Sequence, residues 1–396
     1  MNKGKATVLL LSVVGQATVL PLSALAAGNE GISLQRMVYS ESDDRMSVDY
    51  TQVALNKDFG TDFSFSVSGS IDAMTGATPA VDAKTGASNY ANSDGFLLSE
   101  GISDPSGYER QLFEMEDERK AVNSALTWRT AKRHEWTGGL SYSEEEDYES
   151  RGFSVEHLHN LHPSRNRTLS VGYSQLENDV LFYRENVWRD ATYQTVEVGL
   201  TEVLSRTSLV KVSVFGMQES GALSNPYKRI IRKVNIAPEG DTPVFRYFLS
   251  PDSRPDERDV AGIDVKGVKR VEWRDTPVTQ HLNYRFYSDT WGVNSHTLES
   301  KTYLGSPDVG LGQWFAGLRY MIQDAASFYF DDDAVFDVSG FGSVDKRLSD
   351  FNDVTVSLGW ERSIAQHWRV QARGSYQTQS VDLDMTWAWL GVKYAF

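Results

Sequence analysis

The 396-residue chain contains no cysteine, which excludes disulfides, thiolate metal sites and cysteine nucleophiles. Past its first two dozen residues it has no apolar run of the roughly 18 residues that a membrane-crossing helix needs, so no transmembrane helix can be drawn. Positive charge is scarce: 39 Lys and Arg stand against 54 Asp and Glu, a formal net charge of −15. So acidic a balance argues against nucleic acid as a partner, because that binding draws on phosphate neutralisation by Lys and Arg. Neither a nucleophile elbow nor a zinc-protease spacing occurs. The expectation is a protein that is not an enzyme and carries no cofactor.

Both ends of the chain are informative. Lys3 and Lys5 precede a largely apolar stretch, Ala6 to Leu20, and Ser23 to Ala27 supply small residues. This reads as a secretory signal peptide over residues 1–26, leaving 27–396 as the mature protein. At the other end Leu390, Val392, Tyr394 and Phe396 alternate with other residues up to the terminal phenylalanine. That period is a strand with one apolar face. It resembles the sorting signal read by the barrel-assembly machinery of the bacterial outer membrane.

The same alternation recurs along the chain. Phe63, Phe65, Val67 and Ile71 oppose Ser64, Ser66, Ser68 and Ser70, and Val354, Val356, Leu358 and Trp360 oppose Thr355, Ser357, Gly359 and Glu361. One face suits lipid and the other water. There are 46 aromatic residues (10 Trp, 18 Tyr, 18 Phe), a supply suited to two interfacial girdles. About 16 segments qualify: 31–40, 45–57, 61–72, 117–130, 135–145, 148–160, 167–178, 190–204, 208–219, 258–270, 277–289, 292–304, 313–325, 351–362, 368–380 and 383–396. The predicted fold is all-β, a transmembrane antiparallel up-and-down barrel. An even strand count puts both termini in the periplasm. Short turns at 57–61, 204–207 and 363–367 then fall on the periplasmic rim, and long loops 73–116, 220–257 and 326–350 become extracellular.

At this width side chains do not fill the interior. Predicted lumen-facing charges are Glu197, Lys211, Arg285, Glu299, Lys301, Arg319, Glu361, Arg369 and Arg373. Such charges either set a field across the lumen and select solutes, or pair and close the space. His157 and His159 share a strand face, a spacing that can hold a divalent metal or simply decorate a rim. Acidic clusters at Glu144–Asp147 and Asp331–Asp333 offer hard oxygen ligands for calcium or are solvated loop ends. Lys228–Lys233, basic in an acidic chain, reads as a contact for lipopolysaccharide phosphates, an inward constriction, or a solvated loop.

Three stretches resemble an uncharacterised bacterial family, a domain of unknown function, of predicted outer-membrane barrels. They are Asp72-Ala-Met-Thr-Gly-Ala-Thr-Pro79, on the pattern D-A-x-[ST]-G-A-[ST]-P, then Tyr284–Gly292 and Leu318–Tyr329. In the last, Met321 replaces an aromatic and Asp324 a small residue. The resemblance implies the barrel and no activity. Physically, Gly76 and Pro79 predict a tight turn opening the longest loop, and Arg285 and Arg319 are placed to anchor an acidic loop such as Asp331–Asp333. The expected setting is the bacterial outer membrane, with its lipid and lipopolysaccharide, the assembly machinery and an unidentified protein as partners. Two functions stay open: a porin-like channel for small solutes or ions, or an occluded barrel that displays loops or docks a partner.

Overall fold

The computed structural model of the protein describes residues 30–83, 103–130, 134–162, 166–182, 185–331 and 334–396. The expected signal peptide lies outside these residues. The first nine strands are β1 (Gly31–Glu41), β2 (Met46–Phe59), β3 (Phe63–Ala83), β4 (Tyr108–Arg129), β5 (Glu135–Glu144), β6 (Tyr148–His162), β7 (Arg167–Phe182), β8 (Val187–Ser205) and β9 (Ser208–Gly221). Five follow: β10 (Arg229–Asn235), β11 (Phe245–Pro251), β12 (Glu257–Trp273), β13 (Thr276–Asp289) and β14 (Asn294–Gly305). The last are β15 (Gln313–Gln323), β16 (Val335–Asp337), β17 (Phe351–Ala365), β18 (Trp368–Gln379) and β19 (Leu383–Ala395).

Sixteen of them close into one antiparallel barrel, in the order β1-β19-β18-β17-β15-β14-β13-β12-β9-β8-β7-β6-β5-β4-β3-β2. Each of the sixteen predicted segments corresponds to one barrel strand. The outward face is apolar, with Val38, Leu140, Leu358 and Leu390 all more than half exposed, while Ser64, Ser66, Ser68 and Ser70 on the inward face are buried. This inverts the arrangement of a water-soluble protein and matches a barrel set in hydrocarbon. Closure gives every barrel strand a neighbour on both sides through the body of the ring, the condition for entering a bilayer.

The ring closes where β1 pairs with β19, from Gly31↔Ala395 to Glu41↔Met385. Gly31 and Ala395 therefore lie on one rim. Connections on that rim are short. The β12–β13 turn is two residues, Arg274 and Asp275, at φ 50° and 61°, the signature of a type I′ hairpin. Long connections leave from the far rim.

One predicted loop is not a loop. β3 and β4 run on together as a ladder to Ala83↔Tyr108, so most of the ends of 73–116 are paired strand, and the tight turn expected at Gly76 and Pro79 is absent. Gly76 is opposite Met46, at the start of β2, and a Cβ there would lie 2.3 Å from the Arg45 carbonyl oxygen. Its role is close backbone approach. Pro79 falls beyond the end of β2, where β3 has a free edge and a missing N–H costs no ladder bond. Residues 84–102 lie outside the described residues.

At the seam Gly31 has φ 153°, and an added Cβ would meet the Tyr394 carbonyl oxygen at 2.2 Å. Gly31→Ala should therefore destabilise the barrel by about 1–3 kcal/mol in urea titration of refolded protein. Gly374→Ala, with nothing within 4 Å of the new methyl, should stay within about 0.5 kcal/mol of wild type.

Candidate functional site: the lumen wall and the capped mouth

All nine predicted lumen charges fall on the inward face, because outward Val196, Val212, Tyr284, Leu298, Leu318, Leu358 and Trp368 fix the phase of their strands. Most of them pair along the wall. Lys211 meets Glu197 at 2.9 Å, Lys301 meets Glu299 at 2.6 Å, and Arg369 meets Glu361 at 3.2 Å and Asp308 at 3.0 Å. Arg319 meets Asp353 of the adjacent strand at 2.7 Å; of the acidic loop expected to receive it, residues 332–333 lie outside the described residues. These partners sit on the same strand, on neighbouring strands or in a rim turn, so the ion pairs do not bridge the lumen.

The two cations without such a carboxylate partner stack on rings that sequence reading missed. Arg285 lies over Phe215 at 4.4 Å, and Arg373 lies 4.9 Å from the rings of both Phe315 and Trp389. Glycines make room for them. A Cβ on Gly262 would meet the Phe215 ring at 2.1 Å, and one on Gly359 would meet Arg373 Cγ at 2.6 Å. The side chains therefore lie flat on the wall. The side chains of Glu197 and Lys211 are 37% and 27% exposed, so solvent reaches the wall between them.

His157 and His159 face outward, beside Val155 and Leu161, near the rim that carries Gly31 and Ala395. His159 stacks on His134 at 4.3 Å and His157 on Trp136 at 4.0 Å. His157 Nδ1 is 3.1 Å from the Glu135 carbonyl oxygen. This is a ring stack of the girdle kind, and His134, contributed by the β4–β5 turn, was not visible as its member in sequence.

The far mouth is covered. β11, β10 and β16 form a separate three-stranded sheet in that order, built from the β9–β12 and β15–β17 connections. The basic segment Lys228–Lys233 thus supplies β10 and is not a solvated loop. Ile230, Phe248 and Leu249 are fully buried, as is Arg232. Arg232 donates to the Asp337 and Gly340 carbonyls at 2.7 and 2.8 Å and to Ser250 Oγ at 3.2 Å. With its guanidinium spent inside the sheet, Arg232 is not available to phosphates outside.

An ionic lock ties the two connections together. Arg254 bonds Asp252 at 2.6 Å and Asp345 at 2.8 Å, with all three side chains below 10% exposed. Arg347 also pairs with Asp345, and Asn225 donates to both carboxylates. Burial works to raise the Asp345 pKa, but Arg347 and Arg254 outweigh it and hold the carboxyl well below the usual range. The cap reaches several sectors of the ring. Tyr108 of β4 donates to the Tyr247 carbonyl at 2.9 Å, Ala222 packs against the cluster of Tyr148, Val180 and Phe182, and Arg347 and Lys228 act electrostatically on Glu41 at the end of β1.

Residues 4–197 and 183–390 match the model of a protein family described as protein of unknown function, DUF3570. The chain belongs to that family. No curated protein sequence matches it. Among solved structures it is similar to CdiB from Acinetobacter baumannii (8% identity, TM-score 0.45), covering 93% of this chain and 60% of that one. It is similar to a bacterial polysaccharide outer membrane secretin (8% identity, TM-score 0.47, 93% and 99% covered). It is also similar to a loop-deletion mutant of OmpT from Vibrio cholerae (11% identity, TM-score 0.42, 94% and 100% covered). The chain thus spans 60% of the length of CdiB. The membrane assignment rests on the chain itself: a closed ring with an apolar outer face and a polar interior is an outer-membrane β-barrel.

Two of the segments that carry the family resemblance meet at the root of the cap. From the first, Asp289 accepts the Trp291 and Val293 amides at 2.9 and 3.0 Å and pairs with Arg258 at 2.5 Å. From the second, Gln323 donates to the Arg347 and Ser349 carbonyls at 3.0 Å each. Trp291, Val293, Ala326, Phe328 and Leu348 pack into one apolar cluster there. The third segment places Asp72 against Arg119 at 2.8 Å inside the far rim.

Removing one partner of a buried ion pair costs about 3–5 kcal/mol. Asp345→Asn should therefore release the cap at neutral pH, read as lost hydrogen-exchange protection of the β10 amides with the barrel amides unchanged. Because the folded pKa of Asp345 is depressed, its contribution is complete above about pH 4 and is lost only as pH falls further. Wild-type β10 should keep its protection, corrected for intrinsic rates, at pH 5 and lose it in stronger acid.

Proposed function

We propose that the protein is an outer-membrane channel for small solutes or ions, with its extracellular mouth closed at rest by the cap. The observation that carries this reading is the contrast between the two regions. Three of the lumen ion pairs, Lys211–Glu197, Lys301–Glu299 and Arg369–Glu361, lie along the wall and stay partly exposed, whereas the connections at the far rim form a sheet with a buried ionic lock. A wall lined by neutral pairs passes small solutes with weak ionic preference. In this reading both termini are periplasmic, the cap faces the outside and the apolar face contacts outer-membrane lipid and lipopolysaccharide. Leu390, Val392, Tyr394 and Phe396 serve the barrel-assembly machinery.

A second reading, docking of a partner protein on the cap, is favoured by one feature. Phe330, Val338 and Phe341 on the cap are 52%, 37% and 55% exposed, and apolar groups gathered on a loop surface mark interaction sites. Planar-bilayer conductance separates the two. Wild type should give small, infrequent steps, and Arg254→Ala, which breaks the lock, should give larger and steadier ones. Silence from both folded proteins would sink the channel and leave the docking reading.

Ion preference gives a finer test. Arg319→Ala strips Asp353 of its partner and should move the reversal potential in a salt gradient toward cations. An unchanged potential would remove this pair from the conduction path.

A further inference from the structure

We propose that Asp117, Glu145 and Asp147 form a calcium-binding site on the lumen side of the far rim. One carboxylate oxygen from each lies within 4.8 Å of the others. Glu145 and Asp147 come from the tight β5–β6 connection. Asp117 comes from β4, on the inward face, since Val122 and Leu126 of that strand point outward.

A cluster of acids alone would be unremarkable, but here one oxygen of Asp117 and one of Glu145 are withdrawn from water with no hydrogen-bond partner among the described residues. Asp117 is 9% exposed. Its Oδ1 accepts the Glu118 amide at 2.8 Å, and its Oδ2 is buried with no hydrogen-bond partner. Glu145 Oε2 is buried in the same condition, as is Oδ1 of neighbouring Asp72. Among the described residues, the unmatched oxygens of Asp72, Asp117 and Glu145 thus stand near the guanidinium of Arg119, which Asp72 already engages at 2.8 Å. Buried charge of one sign needs a counter-charge.

The backbone holds the group in place without one. Glu145 N–H donates to the Tyr148 carbonyl and Leu181 N–H to the Asp147 carbonyl, each at 2.8 Å. Tyr148 in turn donates to Asn178 Oδ1 at 2.7 Å. Oxygen-only ligands exclude a soft metal. Three carboxylates supplemented by water suit calcium, which accepts irregular geometry, better than magnesium, which demands a near-ideal octahedron.

The test uses the full refolded chain in detergent, stripped with chelator. Equilibrium dialysis against calcium should give one saturable site per chain. Asp117→Asn and Glu145→Gln, checked for the folded form by gel mobility without boiling, should each weaken it about tenfold or more. Calcium should raise the urea midpoint of wild type and leave both variants where they are. Terbium luminescence sensitised by Tyr148 should appear in wild type and be displaced by calcium. If wild type takes up no calcium in a saturable way, or folded variants bind as wild type does, the site is not a metal site and a proton shared between Glu145 and Asp117 supplies the compensation. Should one variant fail to fold, the other and the wild-type stoichiometry decide the question.

Discussion

The ladder between Gly31–Glu41 and Leu383–Ala395 is the constraint on which the rest depends. Without it the barrel would have two free edges, each a row of unpaired N–H and C=O groups in a medium that offers no water. Every other strand can alternate lipid-facing and lumen-facing residues only because this seam makes the inside an inside. The two strands it joins are the first and the last of the fold. The edge of β1 is therefore left unpaired until β19 is in place.

The wall that results is thin and internally balanced. Phe215 and Arg373 lie against glycines, and ion pairs run between neighbouring strands. Bulky and charged groups are accommodated without projecting across the lumen. In the proposed channel, closure falls to a different part of the molecule, the cap, which is held by apolar burial and a desolvated ionic lock. Separating the two tasks would let the mouth open locally while the barrel ladder stays intact.

Much of the barrel was legible in sequence because its determinant is local: a period of two is visible in any window of eight residues. The inward placement of Lys211, Arg285 and Arg319 follows from that phase alone. What their charges meet was not legible, since the register that sets Arg319 beside Asp353 joins positions 34 apart. The outer ends of β3 and β4 were missed because Gly76 and Pro79 carry strong turn signals, and pairing between strands overrode them. The cap was invisible for a further reason. Its strands are short, one is rich in charge, and the carboxylate Asp345 that fixes it lies 91 positions from Arg254. Asp117 joined Glu145 and Asp147 only through the fold.

The pairing of β10 with β16 is parallel, Ile231↔Val335 to Lys233↔Asp337, and it binds two connections that leave the ring at different places. Neither connection has a complete core of its own: Ile230 from one packs with Phe336 and Val344 from the other. The two loops therefore cannot diverge independently, as surface loops of barrels ordinarily do. A replacement in one changes the packing partner of the other, so together the two connections form a single structural unit.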